Sequence, residues 1–455
     1  MQKNLLRTII HNKKKWIAQR QSYQPLTQFK NFITPSNRNF EQSLKKNHPF
    51  FILECKKSSP TCKILNSNFN LHSILNEYKI YATAISILTD EQYFQGKFEY
   101  LLQASQLVHQ PILCKDFFID PYQIFLARYY KADAILLMLS VLNNNQYTIL
   151  STIAKNLNMG IITEINNIEE LDRANYLKAN IIGINNRNLK NLSVDIKKTI
   201  TIAPLISKKK IIISESGIST YKEVRSLSNI VNGFLIGSSL MKSANLNQKI
   251  KSIIFGKNKI CGLTNKKDAI STYKVGAIYG GLIFEQSSIR HVSKKLAYNI
   301  MQSANLKYVA VFQNEPIFNI LSLIKDLPIS AIQLHGNETQ DYIDTLYKKL
   351  PSNIKIWKAI SVSNTITFQM CFKHVTCYVL DNGTGGTGKP FNWSHLKNIN
   401  LNNVIIAGGL NEKNCFSASK LGCSGLDFNS GIEKKAGVKD EKKLISIFKK
   451  LRYYQ

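Results

Sequence analysis

Short apolar runs recur along the chain at intervals of about 20 to 30 residues, and each is too short for a helix. In the first part they fall at 51–55, 82–88, 111–115, 134–138, 160–164, 181–185, 210–214 and 233–237. Amphipathic stretches such as NLHSILNEYKIY and NIEELDRANYLK lie between them. Eight strand–helix alternations within about 250 residues predict a closed (β/α)8 barrel. A helix-like stretch, QKIKSIIF, then runs into FGKNKICGLT at 255–264, where a second series begins. Its runs fall at 259–263, 278–284, 308–312, 331–335, 355–359, 376–381, 403–407 and 424–428, again eight. The pattern predicts an α/β chain of two tandem (β/α)8 TIM barrels, residues 1–255 and 256–455. Residues 1–50 predict one or two helices broken near Pro35, a helical extension lying on the first barrel.

A doubly wound sheet fits less well. It normally shows fewer strands and carries its glycine loop after the first of them. Neither half carries GxGxxG in a loop after its first strand, and neither contains GxxxxGK[ST]. The GTGGTG run at 383–388 comes late in its barrel and precedes KPFNW rather than a helix, so it is expected to form a mobile loop over a site.

Composition changes this picture little. The chain has 455 residues, 44% hydrophobic and 20% charged, which suits two globular domains rather than one core. No run of 18 apolar residues is present, and the N-terminus lacks the unbroken apolar core of a signal peptide, so no membrane partner and a cytoplasmic location are expected. The eight cysteines form no CxxC pair, which points to a reducing compartment without disulfides. The eight histidines form no HExxH, and neither metal nor cofactor is expected. The net charge of +31 raises nucleic-acid binding. The lysines form no stripe, however, and the surplus of Asn, Lys and Ile has the mark of AT-biased codons. No nucleic-acid partner is expected.

Barrel chemistry sits where strands end. In FILECKKSSP, Glu54 and Lys56 are two residues apart and face one side, either as a structural ion pair or as part of a site. The pattern repeats with Lys115 after PILC, Glu164 in GIITEI, Asn185 and Arg187 in IIGINNRNL, and Glu215 and Ser216 in IIISESGI. A lysine buried near carboxylates can serve as a general acid, and a carboxylate near it as a base. The turns at Ser216–Gly217 and Gly237–Ser238, after strands seven and eight, expose backbone N–H groups that can cradle a dianion. In the second series, Cys261 ends strand one, His335 strand four and Asp381 strand six. Most free cysteines behave as small buried residues, and that reading stands beside the reactive one for Cys261. Gly408–Gly409 and Asn429–Ser430–Gly431 repeat the anion cradle.

Residues 1–255 closely resemble indole-3-glycerol phosphate synthase, through ILECKKSSP, ISILTDEQYFQG, PILCKDFFIDPYQIFLARYY, TEI, IGINNRNL, ISESGI and FLIGSSLM. The resemblance implies closure of an indole ring with loss of CO2 and water. It casts Lys115 as general acid and Glu164 as the base for dehydration. Glu54 and Asn185 would orient these groups, and Lys56 would assist ring closure. Ser59, Arg187, Glu215, Ser216, Gly217, Gly237 and Ser238 fall on substrate and phosphate positions, and Phe94 and Phe117 on the walls of the anthranilate pocket. Thr61-Cys62-Lys63 departs from the family, which usually has a glycine there.

Residues 256–455 resemble phosphoribosylanthranilate isomerase, through KICGLT, YGGLIFEQSSIRHV, IQLHGNE, WKA, YVLDN, GGTGKPFNW, AGGLN and GLDFNSGIE. The resemblance implies an Amadori rearrangement, with Asp381 as general acid and Cys261 as general base. A thiolate would suit this base if nearby positive charge lowered its pKa. Arg290 and His335 would line the anthranilate pocket, and Gly408, Gly409, Asn429 and Ser430 would hold phosphate. Phe428–Asn429 stands where the family usually has Val–Ser. The two reactions are consecutive in tryptophan biosynthesis. The expected partners are small phosphorylated anthranilate–sugars, and the covalent fusion favours a monomer.

Overall fold

Each of the sixteen runs forms a strand, because each is a short apolar segment bounded by turn residues. The computed structural model of the chain describes residues 5–46, 48–60, 64–188, 191–362, 370–382, 390–397 and 399–453. The Thr61-Cys62-Lys63 segment and the GTGGTG run lie outside the described residues. The chain separates into two compact units, Met1–Ser219 with Ser226–Ile250 and Thr220–Arg225 with Lys251–Gln455.

In the first unit, β1 (Phe50–Cys55), β2 (Ala84–Leu88), β3 (Ile112–Lys115), β4 (Ala134–Met138), β5 (Gly160–Ile165), β6 (Ile181–Asn185), β7 (Ile211–Glu215) and β8 (Gly233–Ile236) close into a parallel barrel in sequence order. Side chains alternate in and out along each strand. Ile52, Leu113, Leu136, Ile162, Ile181, Ile213 and Leu235 fill the interior. Phe40 and Leu44, from the helix Phe40–Lys45, pack against this cluster. The N-terminal segment is more broken than expected, because Pro25 and Pro35 interrupt it. The helix α1 (Leu5–Tyr23) is followed by short turns over 26–32 before the helix at Phe40.

In α1, Ile9, Lys13, Ile17 and Arg20 form the buried stripe. Lys13 is only 4% exposed. Its Nζ lies 2.7 Å from both Asp90 and Asp116, and it sits over the Trp16 ring. Burial opposes its charge, but the two aspartates outweigh burial and push its pKa up. Removing one partner of a buried ion group strands the others and costs about 3–5 kcal/mol. Lys13→Ala should therefore destabilise the first barrel by about that amount, read from urea unfolding. A change below 1 kcal/mol, in the range of an exposed pair, would show that the triad is not a structural anchor.

In the second unit, β9 (Lys259–Ile260), β10 (Tyr279–Ile283), β11 (Lys307–Phe312), β12 (Ile329–Leu334), β13 (Lys355–Ser361), β14 (Val375–Asp381), β15 (Val404–Ile406) and β16 (Gly425–Phe428) close a second parallel barrel. Val309, Ala331, Trp357, Val379 and Ile405 line its interior. Two features differ from expectation. The strand β9 stops before Cys261, because Gly262, at φ +67°, turns the chain out of the extended form. After β16 the chain does not pass straight into the helix that a regular strand–helix alternation implies. A hairpin, β17 (Glu433–Lys435) and β18 (Val438–Lys439), precedes the terminal helix Glu441–Tyr453.

Among the described residues, no helix is long and apolar enough to cross a membrane. Nor does any cluster of His, Cys, Asp and Glu there suit a metal ion. The seven described cysteines are free thiols.

Candidate active sites

The first site follows from strand parity. Glu54, Lys115, Glu164, Asn185 and Glu215 each stand an even number of residues beyond an inward apolar residue, so all five point to the barrel axis at its C-terminal end. They line one cavity of about 150 Å3. Every first-barrel residue singled out from the sequence lines it except Ser59. Ser59 borders a smaller cavity of about 80 Å3 that shares Lys56, Phe94, Phe117, Arg187 and Ser238 with the first.

Lys115 Nζ lies 3.5 Å from Glu215 and 3.8 Å from Glu164. Burial works against the lysine charge, but Glu215, Glu164 and Glu54 raise its pKa and keep it protonated. Burial pushes Glu215 up to about 7, against the pull of Lys115. Glu215 is thus the carboxyl of this group able to hold a proton near neutrality. One buried oxygen of each of Glu164 and Glu215 makes no hydrogen bond within the protein. Glu54 pairs with Lys56 at 2.6 Å. Burial would raise the Glu54 pKa, yet Lys56, Lys115 and Arg187 hold it below the usual carboxylate value. The Asn185 side chain accepts the Arg187 backbone N–H at 2.9 Å. Phe94 and Phe117 stand with ring centres 6.3 Å apart on the cavity wall.

Space for this charged layer comes from glycine. A Cβ on Gly237 would lie 2.1 Å from Glu54 Oε1. The turn at Ser216 and Gly217 has φ of +66° and +87°. Asn186 donates to the Ser216 carbonyl at 3.0 Å and fixes that turn.

The second site repeats the parity. Cys261, Gln333, His335, Asp381, Asp427 and Asn429 continue the inward rows of their strands. All eight residues expected at this site line one cavity of about 280 Å3. Cys261 and Asp381 stand three strands apart around the ring and so approach a ligand from different sides. Asp381 accepts the Asn382 backbone N–H at 2.7 Å and lies 3.7 Å from His335 Nε2. Burial raises the Asp381 pKa, offset in part by that N–H and by Lys259. A raised carboxyl suits proton donation. Gly408 and Gly409 both have positive φ, at +82° and +58°. Arg290 lines the cavity, and its Nε and Nη2 are engaged by Glu433 at 2.9 and 2.7 Å.

The condition placed on the thiol, a pKa lowered by nearby positive charge, is opposed by its surroundings. Positive charge is present, since fully buried Lys259 lies beneath Cys261 and pairs with Asp427 at 2.7 Å. Burial nevertheless dominates and raises the Cys261 pKa rather than lowering it.

Several residues escaped the sequence reading. Lys259, Gln333, Asp427 and Glu433 lay inside recognised motifs, and the first three share the parity of Cys261, His335 and Asn429, a usable signal. Leu5, Leu6 and Ile9 of α1 border the Ser59 cavity, and no local pattern announced this.

Comparison with known proteins agrees with this geometry. Residues 6–253 match the family model described as indole-3-glycerol phosphate synthase, and residues 258–450 match N-(5'phosphoribosyl)anthranilate (PRA) isomerase. The chain is 56% identical over 453 residues to the tryptophan biosynthesis protein TrpCF of Buchnera aphidicola subsp. Schizaphis graminum, covering all of both chains. It is 50% identical over 452 residues to TrpCF of Yersinia pestis, covering 99% of this chain and 95% of that one. It is 49% identical over 450 residues to TrpCF of Salmonella typhi, covering 99% of both. The chain belongs to the TrpCF family of bifunctional tryptophan-biosynthesis enzymes, which join an indole-3-glycerol phosphate synthase to a phosphoribosylanthranilate isomerase.

Proposed function

We propose that the groups gathered in the two cavities carry the two activities of this family. The second barrel isomerises N-(5-phosphoribosyl)anthranilate to 1-(2-carboxyphenylamino)-1-deoxyribulose 5-phosphate. The first barrel closes the indole ring of that product, with loss of CO2 and water, to give indole-3-glycerol phosphate.

In the second barrel, Asp381 donates a proton to the furanose oxygen, and the ring opens to an iminium. Cys261 then removes the C2′ proton, and the resulting enolamine tautomerises to the amino ketone. The iminium acidifies that proton and adds positive charge beside a thiol whose ionisation burial disfavours. Arg290 and His335 hold the anthranilate end, while Gly408, Gly409, Asn429 and Ser430 hold phosphate.

In the first barrel, Lys115 protonates the ketone oxygen as the carboxylated ring carbon attacks. Loss of CO2 restores conjugation, and Glu164, as base, takes a proton from the new ring as the hydroxyl leaves, that proton being passed on to complete the water. Glu54 and Asn185 orient these groups and the substrate hydroxyls, and Lys56 neutralises the substrate carboxylate or phosphate. Phe94 and Phe117 clasp the aromatic ring. Ser59, Arg187, Glu215, Ser216, Gly217, Gly237 and Ser238 complete the substrate and phosphate contacts.

The observation that carries this reading is Lys115 between two carboxylates in a cavity that also holds the paired turns Ser216–Gly217 and Gly237–Ser238. The reading places the domain boundary at 255/256, and takes the chain as a cytoplasmic monomer without a nucleic-acid partner. It is tested by supplying phosphoribosylanthranilate and following both products. The intact chain should form indole-3-glycerol phosphate. A chain with Lys115→Ala and Glu164→Gln should accumulate the ribulose intermediate, and one with Cys261→Ser and Asp381→Asn should act only on added intermediate. Loss of both activities on disabling one set would overturn the division of labour.

A further inference from the structure

Arg290 lines the mouth of the second barrel, Lys439 stands behind it, and one carboxylate joins them. Glu433 lies in the hairpin after β16 and is 9% exposed. Its Oε1 accepts Arg290 Nε at 2.9 Å and Lys439 Nζ at 2.8 Å, and its Oε2 accepts Arg290 Nη2 at 2.7 Å. The Gly437 N–H, in the hairpin turn, also donates to Oε1 at 3.2 Å. Lys439, whose side chain is fully buried, donates in addition to Asn429 Oδ1 at 3.0 Å. The arginine stem is confined too, since a Cβ on Gly262 would lie 2.6 Å from Arg290 Cδ and 3.0 Å from Asn429 Oδ1. Arg290 and Asn429 line the cavity, whereas Glu433 and Lys439 stand behind them.

We propose that Glu433 is a positioning residue for the isomerase, fixing the Arg290 guanidinium so that its remaining edge meets the substrate carboxylate. The inference rests on the reading that Arg290 binds that carboxylate. A free arginine would lose rotamer entropy on every binding event, and a two-point clamp removes that cost beforehand. Fork-to-fork pairing also fixes the guanidinium plane, which a single contact would not. Lys439 holds the carboxylate from behind. Burial alone would raise the Glu433 pKa, but Arg290 and Lys439 together keep it below the ordinary value, so the clamp stays charged at neutral pH.

The test is a double-mutant cycle on the full chain with phosphoribosylanthranilate as substrate. Glu433→Gln keeps the shape and removes the charge. It should raise the isomerase KM about tenfold, with kcat within about twofold, as expected for loss of a charge-assisted contact made in both ground and transition states. In an Arg290→Ala background the same change should add less than about twofold to KM. Glu433→Asp retains the charge but is one methylene too short to reach both cations. It should give an intermediate KM, and it keeps the test open should the Gln variant not fold. An unchanged or lower KM in Glu433→Gln, or an equal rise in both backgrounds, would overturn the proposal. If Arg290→Ala itself leaves KM unchanged, the reading of Arg290 fails first, and the two failures are told apart.

Discussion

Lys115→Ala should reduce indole-3-glycerol phosphate formation by about 10³–10⁴-fold while leaving the isomerase rate unchanged. General acid catalysis alone contributes about 10²–10⁴-fold. The substitution has a second effect. Glu54, Glu164 and Glu215 all act on Lys115, and without it these buried carboxylates face one another unbalanced. Glu215, already pushed up to about 7, would rise further and hold its proton. The loss corresponds to about 4–5.5 kcal/mol of transition-state stabilisation. The measurement is kcat/KM on the ribulose intermediate, with the isomerase assayed on the same preparation as a control for folding. Turnover at the normal rate would remove Lys115 from the mechanism.

Cys261→Ser and Asp381→Asn should each slow the isomerase by about 10²–10⁴-fold and leave indole formation intact. A serine hydroxyl keeps the position but is a far weaker acid than a thiol, so almost no anion is available as the base. Asparagine keeps the shape of Asp381 but has no proton of suitable acidity to give. The pH dependence adds a sign. Burial raises the Cys261 pKa above that of an ordinary thiol, so activity that needs the thiolate should still be rising with pH beyond neutrality. The Asp381 pKa is also raised, so the acid form persists above the usual carboxylate range and is lost as pH rises through its folded value. Full activity in both variants would exclude this acid–base pair.

The positions of the strands were legible in the sequence because a barrel strand is a local object. Its apolar run and flanking turns are written in five or six consecutive residues, and β4 and β6 have the expected bounds. The polar strand ends were legible for the same reason. Glu54, Lys115 and Glu215 interrupt apolar runs, and a charge at the end of such a run is costly unless it is used. The hairpin β17–β18 was not legible. Its few residues carry no strand pattern, and the partner of its Glu433, Arg290, lies 143 positions earlier in the chain.

What the sequence determined by itself is therefore the two series of eight strands, the residues that end them and the family to which they belong. The tertiary structure decided which charges meet. Lys13 on an N-terminal helix is held by Asp90 and Asp116, and Lys259 by Asp427 across 168 residues. It also decided the state of Cys261, where burial outweighs the adjacent lysine. The physical reason is that the strand pattern depends on neighbours in the chain, whereas desolvation and Coulomb interactions depend on distance in space and on what excludes water.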